Sequence, residues 1–118
     1  TRSPEGSPTG QSDAMAPIDD DPAALTLCVL LWARDGQERA LAAYEDAVLG
    51  LAAEHAGAVL QRARRVDDVD DPHEVQMLRF GSSASFESYL ADPRRLALQA
   101  ERDAAVARTE VIRVTLVG

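Results

Sequence analysis

The stretch LTLCVLLWA, Leu25 to Ala33, constrains the fold more than any other part of the chain. Pro22 precedes it and Asp35-Gly36 follows it, so its length is that of a strand. It is apolar on both parities, so both faces of that strand need cover. The neighbouring patterns build outward from it. Asp35 with Glu38 has the form of a capping box opening a helix. That helix carries Leu41, Tyr44, Val48, Leu51 and Ala52 on one stripe, and Gly57 stands where a left-handed stop is expected. Ala58 to Val66 reads as a second strand. Glu74 to Phe80 reads as a third, after the turn signal Asp70-Asp71-Pro72.

Gly81-Ser82-Ser83 leads into a second helix through Phe86, Tyr89 and Leu90. Asp92-Pro93 interrupts it and restarts it, with Asp92 as N-cap and Pro93 as first helical residue. Arg108 to Val117 alternates as a last strand, with Glu110 and Ile112 on one parity and Val111 and Val117 on the other. The order β-α-β-β-α-β predicts an α+β, ferredoxin-like fold: a four-stranded antiparallel sheet with two helices on one face. The other face is then uncovered, although the first strand, Val111 and Val117 make it apolar. A second copy of the chain is the simplest cover, so a homodimer with sheets packed face to face is expected.

Charge divides the chain further. Residues 1–22 hold four of the six prolines and no aromatic, which predicts a disordered acidic tail ahead of a domain spanning 23–118. The tail and the run from Asp67 to Asp71 together account for the net charge of −8, and the rest has eleven arginines against eleven acids. The run reads as a solvated turn. All twelve basic residues are arginine, and the lysine-free, alanine-rich usage fits the codon bias of a GC-rich genome. The acidic balance argues against nucleic acid or an anionic membrane as partner. The single cysteine, Cys28, has no internal disulfide partner and reads as a small inert hydrophobe. No apolar run reaches the roughly 18 residues a bilayer span needs, and no basic-then-apolar secretion signal is seen. A soluble cytoplasmic protein is expected.

Candidate chemistry is sparse. There is no glycine-rich phosphate loop, paired-cysteine site or His-x-x-x-His spacing, so neither a metal nor another cofactor is expected. The acidic run lacks the alternating ligands and turn glycine of a calcium loop. His55 ends the first helix, where an imidazole suits the negative helix terminus. His73, beside Asp70, Asp71 and Glu74, reads as a general base or as a solvated loop histidine. Arg62, Arg79 and Arg113 lie on three strands. They either pair with acids such as Glu74 and Glu110 or cradle a small carboxylate, phenolate or enolate. Trp32, Tyr44, Phe86 and Tyr89, four of the five aromatics, line a pocket between helices and sheet or form a plain core.

The body from about Leu25 to Val117 resembles the dimeric α/β-barrel superfamily, and within it a small bacterial domain family of unknown function. That family has a Tyr on its first helix, a Gly pair twelve residues on, and an aliphatic and an Arg in its second strand. Tyr44, Ala56-Gly57, Leu60 and Arg62 stand at those spacings. Tyr89, Pro93 and Arg102 match its second-helix aromatic, proline break and following arginine. The family's acid before the third-strand Phe is Arg79 here, and a second Gly pair is Ala63-Arg64. The superfamily includes cofactor-free monooxygenases, haem-degrading enzymes, lactone isomerases, dehydratases and regulatory ligand-binding modules. The resemblance therefore implies a small-molecule-binding homodimer, either a cofactor-independent monooxygenase, isomerase or cyclase or a non-catalytic ligand sensor. In the enzymatic case Arg62, Arg79 and Arg102 orient an anionic or aromatic metabolite, Tyr44 or Tyr89 donates to its oxygen, and His73 exchanges a proton.

Overall fold

Strand β1 (Leu25–Ala33) pairs on both edges, as its two-sided apolar sequence demands. The computed structural model describes residues 23–67 and 70–117, so the predicted tail at 1–22 and two residues of the acidic run, Asp68 and Val69, lie outside it. With β2 (Gly57–Arg64), β3 (Glu74–Phe80) and β4 (Val106–Arg113), β1 forms an antiparallel sheet in the order β2-β3-β1-β4. Burial alternates along β1. Leu25, Leu27, Val29 and Leu31 are buried and pack with Leu41, Leu49, Leu78, Phe80 and Tyr89, while Thr26, Cys28, Leu30 and Trp32 are half-buried on the opposite face. Phe80 and Leu41 are fully enclosed, each contributing about 2 kcal/mol by removing apolar surface from water.

Helix α1 (Glu38–Leu49) presents Leu41, Tyr44, Glu45 and Val48 inward. Its N-cap is Gln37 without a side-chain hydrogen bond, so the expected capping box at Asp35 does not form. Asp35 and Gly36 instead make a turn closed by Gln37 N–H donating to the Arg34 carbonyl at 2.8 Å, with Gly36 at φ +74°. The helix also stops earlier than its apolar stripe implies. A separate 3-10 turn (Ala52–His55) follows, and the left-handed residue is Ala56 at φ +57°, not Gly57. Gly57 is required for another reason: a Cβ there would lie 2.5 Å from Phe80 Cε1 and 2.9 Å from the Ala52 carbonyl oxygen.

The second helical segment divides into α2 (Ser83–Leu90), α3 (Pro93–Leu96) and α4 (Gln99–Ala105). Ser82 caps α2 by accepting from Ser85 N–H at 3.0 Å, and Asp92 caps α3 by accepting from Arg94 N–H at 2.8 Å, with Pro93 in the first turn as predicted. Two strands shift from expectation. β2 begins at Gly57 and ends at Arg64, and β4 begins at Val106, directly after α4. The parity expected for β4 is also reversed. Val111 pairs with Val29 on the helix-covered face, whereas Ile112 pairs with Cys28 on the open one. The pairing register with β1 sets this alignment, and alternation within β4 cannot reveal it.

Candidate binding cleft

Three polar residues interrupt the apolar pattern beneath the helices: Glu45 on α1, and Glu74 and Gln76 on the inward parity of β3 with Leu78 and Phe80. Burial without partners is costly for each of them, and the structure joins them into one chain. Glu74 has no exposed surface and accepts from Arg62 Nε at 2.8 Å, Arg64 Nε at 3.0 Å and Gln76 Nε2 at 2.8 Å. Gln76 Nε2 also donates to Glu45 Oε1 at 2.8 Å, so a single amide bridges two carboxylates. Arg62 completes the network by donating from Nη1 to Asp46 at 2.8 Å.

The two carboxylates are pushed in opposite directions. Burial would raise the Glu74 pKa, but donors from Arg62, Gln76 and Arg64 outweigh it and hold Glu74 below its ordinary value. Glu45 is raised, chiefly by burial, with the hydrogen bond from Gln76 opposing and the charge of Glu74 adding to the rise. A carboxyl with a raised folded pKa costs stability as pH climbs through that value, and the cost vanishes below the unfolded value. Glu45→Gln keeps the acceptor that Gln76 needs and removes the charge. It is therefore expected to raise the melting temperature at neutral pH by a few degrees, with the gain disappearing in acid. Thermal melts of both proteins across pH check this, and a variant less stable at neutral pH would show that the charge is compensated.

Glu45 forms part of the wall of a cleft between helices and sheet. The cleft offers about 60 Å³ to a water-sized sphere and about 430 Å³ of empty space when its open mouth is counted. Arg95 and Arg102 line it with Tyr89, Thr109 and apolar side chains including Leu31, Leu78, Phe86 and Val111. Arg102 donates to Thr109 Oγ1 at 3.2 Å. The Arg95 guanidinium lies 5.2 Å from the Tyr89 ring centroid, and its Nε–H is buried with no acceptor among the described residues. The Tyr89 hydroxyl donates to the Val48 carbonyl at 3.0 Å, and burial raises its pKa. An acid with a raised pKa thus faces two cations across a mostly apolar space, an arrangement suited to holding an anionic group and exchanging a proton with it.

The residues singled out from sequence divide between several places. Phe86, Tyr89 and Arg102 meet in this cleft. Tyr44 is buried at a separate groove between α1 and α4, beside Ala47 and Leu98. Trp32 is not with the other aromatics: its parity puts it on the open sheet face, where the Arg108 guanidinium stacks at 4.3 Å from the ring centroid. The three strand arginines do not cluster either. Arg62 is held by Glu74 and Asp46, Arg113 pairs with Leu27 on the helix side, and Arg79 pairs with Thr26 on the open face. His73 joins the sheet through its backbone, donating to the Leu31 carbonyl at 2.7 Å, and does not line the cleft. Glu45, Gln76 and Arg95 were not foreseen, whereas Glu74 was expected as an arginine partner and does hold Arg62. A signal existed for two of the unforeseen residues: Glu45 falls four residues after Leu41 on the inward stripe, and Gln76 shares the parity of Leu78 and Phe80.

Known structures reproduce this arrangement of strands and helices. A protein of unknown function from Rhodopseudomonas palustris superposes with a TM-score of 0.67 at 19% identity, over 81% of this chain and 84% of that one. A dimeric protein of unknown function with a ferredoxin-like fold, from Bacteroides fragilis, gives 0.61 at 11% identity over 80% and 97%. The chain has the ferredoxin-like fold. A candidate antibiotic biosynthesis monooxygenase from Bacteroides thetaiotaomicron shares this ferredoxin-like frame, with a TM-score of 0.63 at 15% identity over 80% and 90%. No protein-family model matches the chain, and no curated protein matches it. Among the described residues, no helix is long and apolar enough to cross a membrane, and no three His, Cys, Asp or Glu side chains gather as a metal site.

Proposed function

We propose that the chain is a cytoplasmic homodimer that binds a small anionic or aromatic metabolite in the cleft between its helices and its sheet. The observation that carries the binding reading is Arg95: a buried guanidinium N–H without an acceptor, beside Arg102 and facing the cleft that Glu45 helps to wall. Buried donors are normally satisfied, and a carboxylate or phenolate entering the cleft supplies the missing acceptor. The narrow interior admits the charged end of such a molecule and leaves its body at the mouth. Glu45 is the group suited to take or give a proton there, a role the sequence offered as one of two readings of His73. Dimerisation is supported by the apolar open face of the sheet and by the dimeric ferredoxin-like protein of B. fragilis.

Thermal shift against a panel of aliphatic and aromatic carboxylates tests the binding reading. A ligand at a hundred times its Kd is expected to stabilise the protein by about 2.7 kcal/mol, and Arg95→Ala or Arg102→Ala is expected to abolish that shift. If no carboxylate or phenolate stabilises the wild-type protein, the cleft is not an anion site.

A further inference from the structure

Away from the cleft, three side chains from three elements form a second polar constellation. His55, in the 3-10 turn, places Nδ1 2.8 Å from Ser88 Oγ of α2 and Nε2 2.8 Å from Asp92 Oδ2 at the start of α3. None of the three lines the cleft. Asp92 is buried and accepts, besides His55, the Arg94 backbone N–H at 2.8 Å and the Arg94 side chain at 2.8 Å and 3.2 Å. Those Arg94 hydrogen bonds, with that from His55, hold its carboxyl far below the usual range, so Asp92 is an ionised group that can only accept. Nε2 of His55 must then carry the proton it shares with Asp92. In the neutral ring this leaves Nδ1 with a lone pair, and the Ser88 hydroxyl donates to it. The imidazole is further fixed by an edge-on contact with Tyr89, ring centroids 6.1 Å apart.

A hydroxyl hydrogen-bonded to an imidazole whose other nitrogen is anchored by a buried carboxylate is the arrangement that activates serine as a nucleophile. Ser88 is on the exposed side of α2, open to a reagent from solvent. We infer that Ser88 is an acylable nucleophile, with His55 as its base and Asp92 as the positioning residue, and that it reacts with activated esters. Oγ bonds to the carbonyl carbon as its proton passes to Nδ1, and the ester C–O bond breaks as Nδ1 gives that proton to the departing alcohol oxygen, or to solvent when a stable phenolate leaves, which frees Nδ1 again. Water then attacks the acyl-serine, giving its proton to Nδ1, and the carboxylic acid leaves as Ser88 recovers its proton. A general base contributes about 10²- to 10⁴-fold.

The probe is p-nitrophenyl acetate, read by release of p-nitrophenolate and by peptide mapping of the acetylated protein. Ser83, exposed at the other end of α2 and lacking a histidine partner, is the internal reference. Ser88 is expected to acetylate at least about 100-fold faster than Ser83, Ser88→Ala to lose the burst, and His55→Ala to bring Ser88 down to the reference rate. Asp92→Asn still caps α3 but no longer fixes the proton on Nε2, so labelling is expected to fall at least tenfold while the fold survives. Equal labelling of Ser88 and Ser83 in the wild-type protein overturns the inference, whatever the variants do. So does a burst that persists in Ser88→Ala, which would make the imidazole itself the nucleophile.

Discussion

Replacing Glu74 with alanine is expected to cost about 3–5 kcal/mol, the range for removing one partner of a buried ion pair. For a domain of about a hundred residues this lowers the melting temperature by at least about 12 °C. The size follows from what is left behind. Arg62 and Arg64 each lose a carboxylate oxygen at 2.8–3.0 Å, and Gln76 loses one of its two acceptors. Arg62 already has a buried Nη2 without a partner, so little compensation is at hand. Glu74→Gln, which keeps the shape and one acceptor, is expected to fall between the two. The pH dependence has the opposite sign to that of Glu45. Because the folded pKa of Glu74 is depressed, its contribution is present above the ordinary carboxylate range and is lost as pH falls through the lowered value. The gap between wild type and Glu74→Ala should therefore narrow in acid. Urea unfolding at several pH values measures it, and a neutral-pH loss below about 1 kcal/mol would mean that the network does not hold β2 and β3 together.

The second large effect concerns assembly. Leu30→Glu is expected to convert the proposed dimer to monomer, weakening association at least about 100-fold through burial of a charge in apolar surroundings. Leu30 lies on the open sheet face between Val75 of β3 and Glu110 of β4, with Cys28, Met77 and Ile112 alongside. Ile112, on the edge strand β4, is 44% exposed in the single chain, a large apolar side chain left without cover. A two-fold axis through this face duplicates the substitution, so each new carboxylate also meets its own copy. Light scattering at micromolar concentration reads the outcome. A wild-type protein that is already monomeric there removes the basis for face-to-face packing.

Sequence reasoning reached the elements well and the site poorly, for a definable reason. Apolar patterning located β1 and the inward stripe of α1, and cap and proline chemistry located the Asp92-Pro93 restart, because each is a local pattern enforced by backbone geometry. The site depends on which parity of each strand faces the helices, and parity is settled between strands. The β1–β3 register puts Trp32 and Arg79 on the open face, and a register shift at Val59/Gln61 turns Arg62 to the other. Arg79 was therefore grouped with Arg62 although they sit on opposite faces, and Trp32 with Phe86 although the sheet separates them. Glu45 was passed over because its charge marks it as a surface residue by type. Its position on the stripe says otherwise.

The chain's own residue order determined that four strands and two helical regions would form, in what succession, and that one sheet face would be left apolar and bare of helices. Those features follow from spacing along the backbone, which holds whatever the rest of the molecule does. Only the tertiary structure decided that Gln76 bridges Glu45 and Glu74, and that His55, Ser88 and Asp92 converge from three elements. The two His55 contacts and the Gln76–Glu45 bridge join residues 31 to 37 positions apart, through hydrogen bonds whose geometry exists only once strand register and helix packing have set both ends.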